Sequence, residues 1–119
     1  MKKLFLACFT LIALLSCAPQ KNFGKKVKKK YPLTYQGIEK WAYRQHPQDT
    51  KARTQSIHQQ SEAFWHIAEI LQNQPEEKTE KMLKVAMYRW NWLEGDPIYE
   101  NDQPVDWFMV WEEYLQKTR

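Results

Sequence analysis

The sequence predicts an all-α protein: a small three- to four-helix bundle behind a disordered basic tether. Three observations carry this reading. Apolar residues recur at helical spacing in four stretches. Breaks containing proline separate those stretches. No segment of useful length alternates apolar and polar residues as a strand would. With 119 residues, the chain has room for one domain.

The N-terminal segment belongs to no domain. Met1, Lys2 and Lys3 form a short basic start, and residues 4–15 are apolar except for Thr10. That run is too short to cross a bilayer, which takes roughly 20 residues. A basic start with a short apolar run is the pattern of a secretory signal. Leu14-Leu15-Ser16-Cys17 follows at once. This tetrad resembles the lipobox of bacterial lipoproteins: an aliphatic residue, a tolerant position, a small residue, then cysteine. The resemblance implies removal of residues 1–16, transfer of diacylglycerol to the Cys17 thiol, and acylation of the new amine. A single acyl chain binds membranes marginally, at about 0.8 kcal/mol per buried methylene, and further chains make the anchor stable. Ala18 stands where an aspartate would resemble an inner-membrane retention signal, so the resemblance implies the outer membrane, on its periplasmic face.

Residues 17–31 read as lipidated cysteine and linker. Lys21, Lys25, Lys26, Lys28, Lys29 and Lys30 fall here with no acid among them. Without apolar periodicity, such a segment reads as disordered, with an r.m.s. reach of about 20 Å. Its lysines suit contact with membrane phosphates, at about 1 kcal/mol each near an anionic surface. From Tyr31 onward, 10 Lys and Arg stand against 14 Asp and Glu. The whole-chain charge of +4 therefore averages a basic tether with an acidic domain, and nucleic acid is not an expected partner. Of the two cysteines, Cys8 leaves with the signal and Cys17 carries the lipid. The domain is left with no disulfide, thiol nucleophile or thiolate metal site.

Residues 32–119 form the helical domain. A first helix is expected over 35–46, with Thr34 as N-cap and Tyr35, Ile38, Trp41 and Ala42 on one face. Pro47 ends it by restricting the residue before it. A second runs over 50–72 with Asp49 as N-cap. Its stripe is Ile57, Ser61, Phe64, Ala68 and Leu71, and Asn73-Gln74-Pro75 breaks it. A third is expected over 75–94: Pro75 suits a first turn, Glu76 and Glu77 complement the positive helix end, and Gly95 suits a stop. Its apolar residues cover most of the circumference, which predicts the central helix of the bundle. An acidic loop over 96–104 leads to a last helix over 105–116, with Trp107, Val110, Trp111, Tyr114 and Leu115 as its stripe.

Few constellations suggest chemistry. His58, Glu62 and His66 sit four apart with Glu69 near, but two helical turns, about 12 Å, separate the histidines. One ion cannot take both without help, and the face is expected to be polar and solvated, with no metal. Arg89 falls within the apolar arc of the third helix and needs a partner. Glu94, Asp96, Glu100, Asp102 and Asp106 are the candidates. The acidic loop lacks the alternation and central glycine of a calcium loop. The tryptophans read as core or as a groove for an amphipathic helix, with Met82, Met87 and Met109 adding pliable surface. The candidate partner-binding set is Trp90, Trp92, Trp107 and Trp111, with Arg89, Asp96, Glu100 and Asp102. With three glycines in all, a phosphate-cradling loop is not expected, nor is a nucleophile arrangement evident. No enzyme, cofactor or small-molecule substrate is expected.

The expected role is non-enzymatic protein binding or assembly at the envelope. In plan the chain is similar to the helical pilotins of secretion systems, lipoproteins that grip a helical segment of a secretin and carry it to the outer membrane. The similarity is one of architecture. The alternative is a lipid-anchored periplasmic immunity protein whose acidic domain meets a basic toxin cleft. A third reading is a peptidoglycan-binding anchor that stacks sugars on exposed tryptophan.

Overall fold

The computed structural model describes residues 22–91 and 102–119. Within them the architecture is all-helical: α1 (Phe23–Lys30), α2 (Pro32–Gln45), α3 (Thr50–Gln72), α4 (Glu77–Arg89) and α5 (Trp107–Thr118). Cys17, Lys21, Trp92, Glu94, Gly95, Asp96 and Glu100 lie outside the described residues.

The first correction concerns the tether. Residues 23–30 form helix α1, where the sequence suggests a continuous linker. Phe23, Val27 and Tyr31 recur four apart and so share one helical face. Val27 is fully buried and Tyr31 nearly so. The Asn22 side chain accepts a hydrogen bond from the Lys25 amide at 3.0 Å and caps the helix. Lysine-rich composition masks a narrow apolar stripe, which tertiary packing then selects.

Helix α2 begins earlier than expected. Tyr31 takes the N-cap position, Pro32 opens the first turn, and Thr34 is buried within the helix rather than capping it. At its far end, Arg53 donates to the carbonyls of His46 and Pro47 at 2.9 and 3.0 Å. That side chain stitches the α2–α3 corner. Helix α3 has the expected bounds, and Asp49 caps it by accepting from the Ala52 amide at 3.0 Å. It ends at Asn73, and Gln74 follows in the left-handed region with φ of 51°. A left-handed residue at this point is a common helix stop, taken here by glutamine rather than glycine.

The second correction concerns the centre of the bundle. Helix α3, not α4, is the hub: α1, α2 and α5 all pack on it, while α4 packs chiefly on α5. Val85 and Tyr88 on α4 are 47% and 53% exposed, and only Leu83, Ala86 and Met87 of that helix are buried. The helix also stops at Arg89, short of the expected 94. The Asp106 amide donates to the Trp90 carbonyl at 2.9 Å, and Asn91 forms a β-bridge with Val105. Long-range pairing thus claims backbone groups that a longer helix would have used.

The core joins Val27, Ile38, Phe64, Ile67, Leu83, Met87, Val105, Trp107 and Val110. Phe64 meets Tyr31 and Trp107 edge-on at 5.1 and 4.8 Å between ring centres. Residues 102–105 cross α2 at Gly37. A Cβ there would collide with the Gln103 carbonyl oxygen and lie 3.0 and 3.1 Å from the carbonyl carbons of Gln103 and Asp102. Gly37 is thus required by close backbone approach.

Candidate functional site

Two surface clefts draw together residues singled out by the sequence. The first lies between α3 and α5. From α3 come Glu62, Ala63 and His66, and from α5 come Phe108, Trp111 and Glu112. The cleft encloses about 270 Å³. The His66 and Trp111 rings stack at 5.2 Å and 24°, and Trp111 stacks on Tyr114 at 5.5 Å and 26°. The outcome is a half-exposed ladder of three rings running along the helix pair. Glu62 lies 3.9 Å from His66 Nε2, and its side chain is about half exposed. Two carboxylates beside an aromatic ladder suit a cationic or amphipathic segment, through charge and ring-face attraction together.

The position of α5, and with it Trp111, is fixed from inside. Gln60 of α3 is 1% exposed. Its side-chain oxygen accepts from the amides of Trp107 and Phe108, and its side-chain nitrogen donates to Asp106 Oδ1 at 2.8 Å. Asp106 itself caps α5, accepting from the Met109 amide at 3.2 Å. One buried amide thus satisfies donors that a helix N-terminus leaves open. The sequence reading missed Gln60, whose only local signal is a polar residue at a position facing inward with Phe64.

The other members of the expected binding set fall apart. Trp107 is 1% exposed and belongs to the core, so it is withdrawn from the binding surface. Its indole Nε1 has no hydrogen-bond partner among the described residues. Trp90 is half-buried and donates to Glu113 Oε1 at 3.4 Å. Arg89 is not enclosed in an apolar arc. It is 53% exposed and pairs with Glu113 at 3.3 Å, a partner from α5 rather than from the acidic loop. Glu113 also takes Lys117 at 3.3 Å, so one carboxylate gathers α4, the Trp90 indole and the last turn of α5. Asp102 turns towards α2. Lys40 Nζ donates to its carboxylate at 3.0 Å and its carbonyl at 3.3 Å. That hydrogen bond, and then the lysine charge, hold the Asp102 carboxyl below its ordinary pKa.

The second cleft, of about 350 Å³, lies where α1 meets α2 and α3. Asn22, Lys25, Lys28, Tyr35, Thr54 and His58 are among its lining residues. Lys28 Nζ sits 5.7 Å from the centre of the Tyr35 ring. Burial, and then the Glu39 charge, push the Tyr35 hydroxyl above its ordinary pKa. Lys26 and Lys30 lean inward over the Trp65 ring at 5.4 and 5.7 Å, and Lys30 also donates to Gln72 Oε1 at 3.3 Å. Lys29 is exposed on the side of α1 opposite Val27, while Lys25 borders the cleft. The histidine face of α3 is therefore not simply solvated. Phe23 of α1 lies between its two histidines, with ring centres 6.1 Å from His58 and 5.9 Å from His66. No group of three metal-ligating side chains occurs among the described residues.

No helix among the described residues is long and apolar enough to cross a membrane. Comparison with known protein families, with curated proteins and with solved structures returns no match for this chain.

Proposed function

We propose that this chain is a lipid-anchored envelope protein that binds another protein through the α3–α5 cleft and acts without catalysis. The anchor is Cys17, in the outer membrane on its periplasmic face. What supports the binding role above all is the half-exposed ladder His66–Trp111–Tyr114 beside Glu62 and Glu112. Its charge favours a basic or amphipathic segment over an acidic one. This is the adaptor role, similar in plan to a pilotin, that the lipobox and helical domain suggest. The same two carboxylates also suit a basic toxin cleft, which keeps the immunity reading as the alternative.

The test is crosslinking in intact cells from a photoreactive residue in place of Gln59, which also lines the cleft, with Cys17 intact and in Cys17→Ser. Acylation of Cys17 is read from the mass of the N-terminal peptide. A single envelope partner captured only with the acylated chain, and lost in Trp111→Ala, is the expected result. An acylated chain that captures no endogenous partner, but protects cells from one delivered toxin, would overturn the adaptor role in favour of immunity.

A further inference from the structure

We propose that the cleft between α1, α2 and α3 is a binding site for the headgroup of an anionic phospholipid, and that it sets how the bundle sits on the membrane that holds its anchor. The inference rests on the acylation of Cys17 and goes beyond it. An anchor alone tethers a domain; this site gives it an orientation.

Chain length comes first. Cys17 and Asn22 are five residues apart. At about 3.6 Å per residue, Asn22 lies within roughly 18 Å of an acylated Cys17 however the chain runs. Asn22 is also a wall of the cleft. The site is therefore held at headgroup distance, and that proximity follows from α1 being a helix rather than the linker its composition suggests.

Chemistry comes second. Lys25 and Lys28 bring two ammonium groups to the cleft, and Thr54, Tyr35, Asn22 and His58 add polar groups. No carboxylate lines it. Among the described residues, no lysine of α1 forms a salt bridge. Lysine is a point charge suited to phosphate, and unneutralised lysines at a surface favour an anion. Lys29, exposed on the outer side of α1, adds attraction for the surrounding headgroups.

Charge distribution comes third. The ten residues from Lys21 to Lys30 carry six lysines and no acid, while everything from Tyr31 onward has four more acids than bases. An anionic surface attracts the first part and repels the second. The aromatic ladder of the α3–α5 cleft uses His66, two turns along α3 from His58 of the lipid-facing cleft.

The experiment uses the mature chain reconstituted in vesicles of phosphatidylethanolamine, with or without phosphatidylglycerol. Lysine amines are labelled with a membrane-impermeant acylating reagent and read by mass spectrometry. The same spectra report whether Cys17 is acylated. Lys25 and Lys28 should label several-fold more slowly when phosphatidylglycerol is present, with Lys78 and Lys81 of α4 unchanged. In K25Q/K28Q, association of this face with the anionic surface should fall about thirtyfold, so that Lys29 loses its protection while the thermal melt stays near wild type. Equal labelling with and without phosphatidylglycerol would overturn the proposal. So would equal protection by soluble glycerophosphate on vesicles lacking phosphatidylglycerol, which would make the ligand a free phosphate ester. If the spectra show Cys17 without acyl chains, the anchor reading fails by itself. The same labelling contrast, run on vesicles mixed with that chain, then decides the headgroup site separately.

Discussion

Helix α3 carries three helices, and its joints to α5 and to α1 are built differently. The joint to α5 is buried and directional: Trp107 wedges against Phe64, and the Gln60 amide reaches the first amides of α5 and the Asp106 carboxylate. The joint to α1 buries Val27 and Tyr31, but its margin is the ammonium groups of exposed lysines over Trp65 and a phenylalanine between two histidines. A buried amide network admits one geometry, because each broken bond leaves a desolvated group. Lysine over an aromatic face tolerates shift, being weakly directional and half in water. The α5 joint therefore specifies the fold and holds the aromatic ladder, whereas the α1 joint leaves its charged outer side available.

Three variants test that contrast. The largest effect is expected from Trp107→Ala, which empties the centre of the α5 joint and should cost about 3–5 kcal/mol. Urea unfolding with an unchanged m-value is the measurement. A loss under about 1 kcal/mol would mean that the joint does not depend on its wedge. Next comes Gln60→Leu, which keeps volume but strands the Trp107 and Phe108 amides. It should cost about 1–3 kcal/mol, with faster amide hydrogen exchange at the start of α5 and little change in α1. Uniform acceleration across all helices would erase the distinction between the joints. The smallest effect is expected from the pair Lys26→Gln and Lys30→Gln. Each cation over Trp65 contributes on the order of 0.5–1 kcal/mol. The thermal melt should fall slightly, and Trp65 emission should move while exchange at the start of α5 stays fixed. A large cooperative loss from this pair would show that α1 is as much a part of the core as α5.

The parts of the fold legible in the sequence are those whose signals are local. Asp49 before a long periodic run fixes the start of α3 and Asn73-Gln74-Pro75 its end, since a cap and a proline break act within a few residues. What was not legible depends on distant partners. Helix α1 hides because six of its eight residues are Gly or Lys, and only Phe23 and Val27, with Tyr31 beyond, mark a face. The full-circumference pattern of α4 suggests a central helix, yet Tyr88 and Val85 remain exposed, since an apolar side chain does not oblige the fold to cover it. Glu113 could not be paired with Arg89 from the sequence, because the match depends on how α4 lies against α5. The cleft is half visible in the sequence: the α5 pattern marks Trp111, but its stacking on His66 requires knowing that α3 and α5 are neighbours.

The Gln60 amide also has a consequence for the order of assembly. It stands 47 residues before the Trp107 amide that it caps. Closing so long a loop costs entropy before any contact returns it. Helices α1, α2 and α3 are consecutive and pack on one another, so their contacts can form while the chain is still emerging. The last helix can only add to a platform already made, and its first turn becomes saturated with hydrogen bonds at that step. Docking of α5 is thus the event that completes the aromatic ladder, and a chain halted before it would have the lysine-rich side of α1 but no ladder.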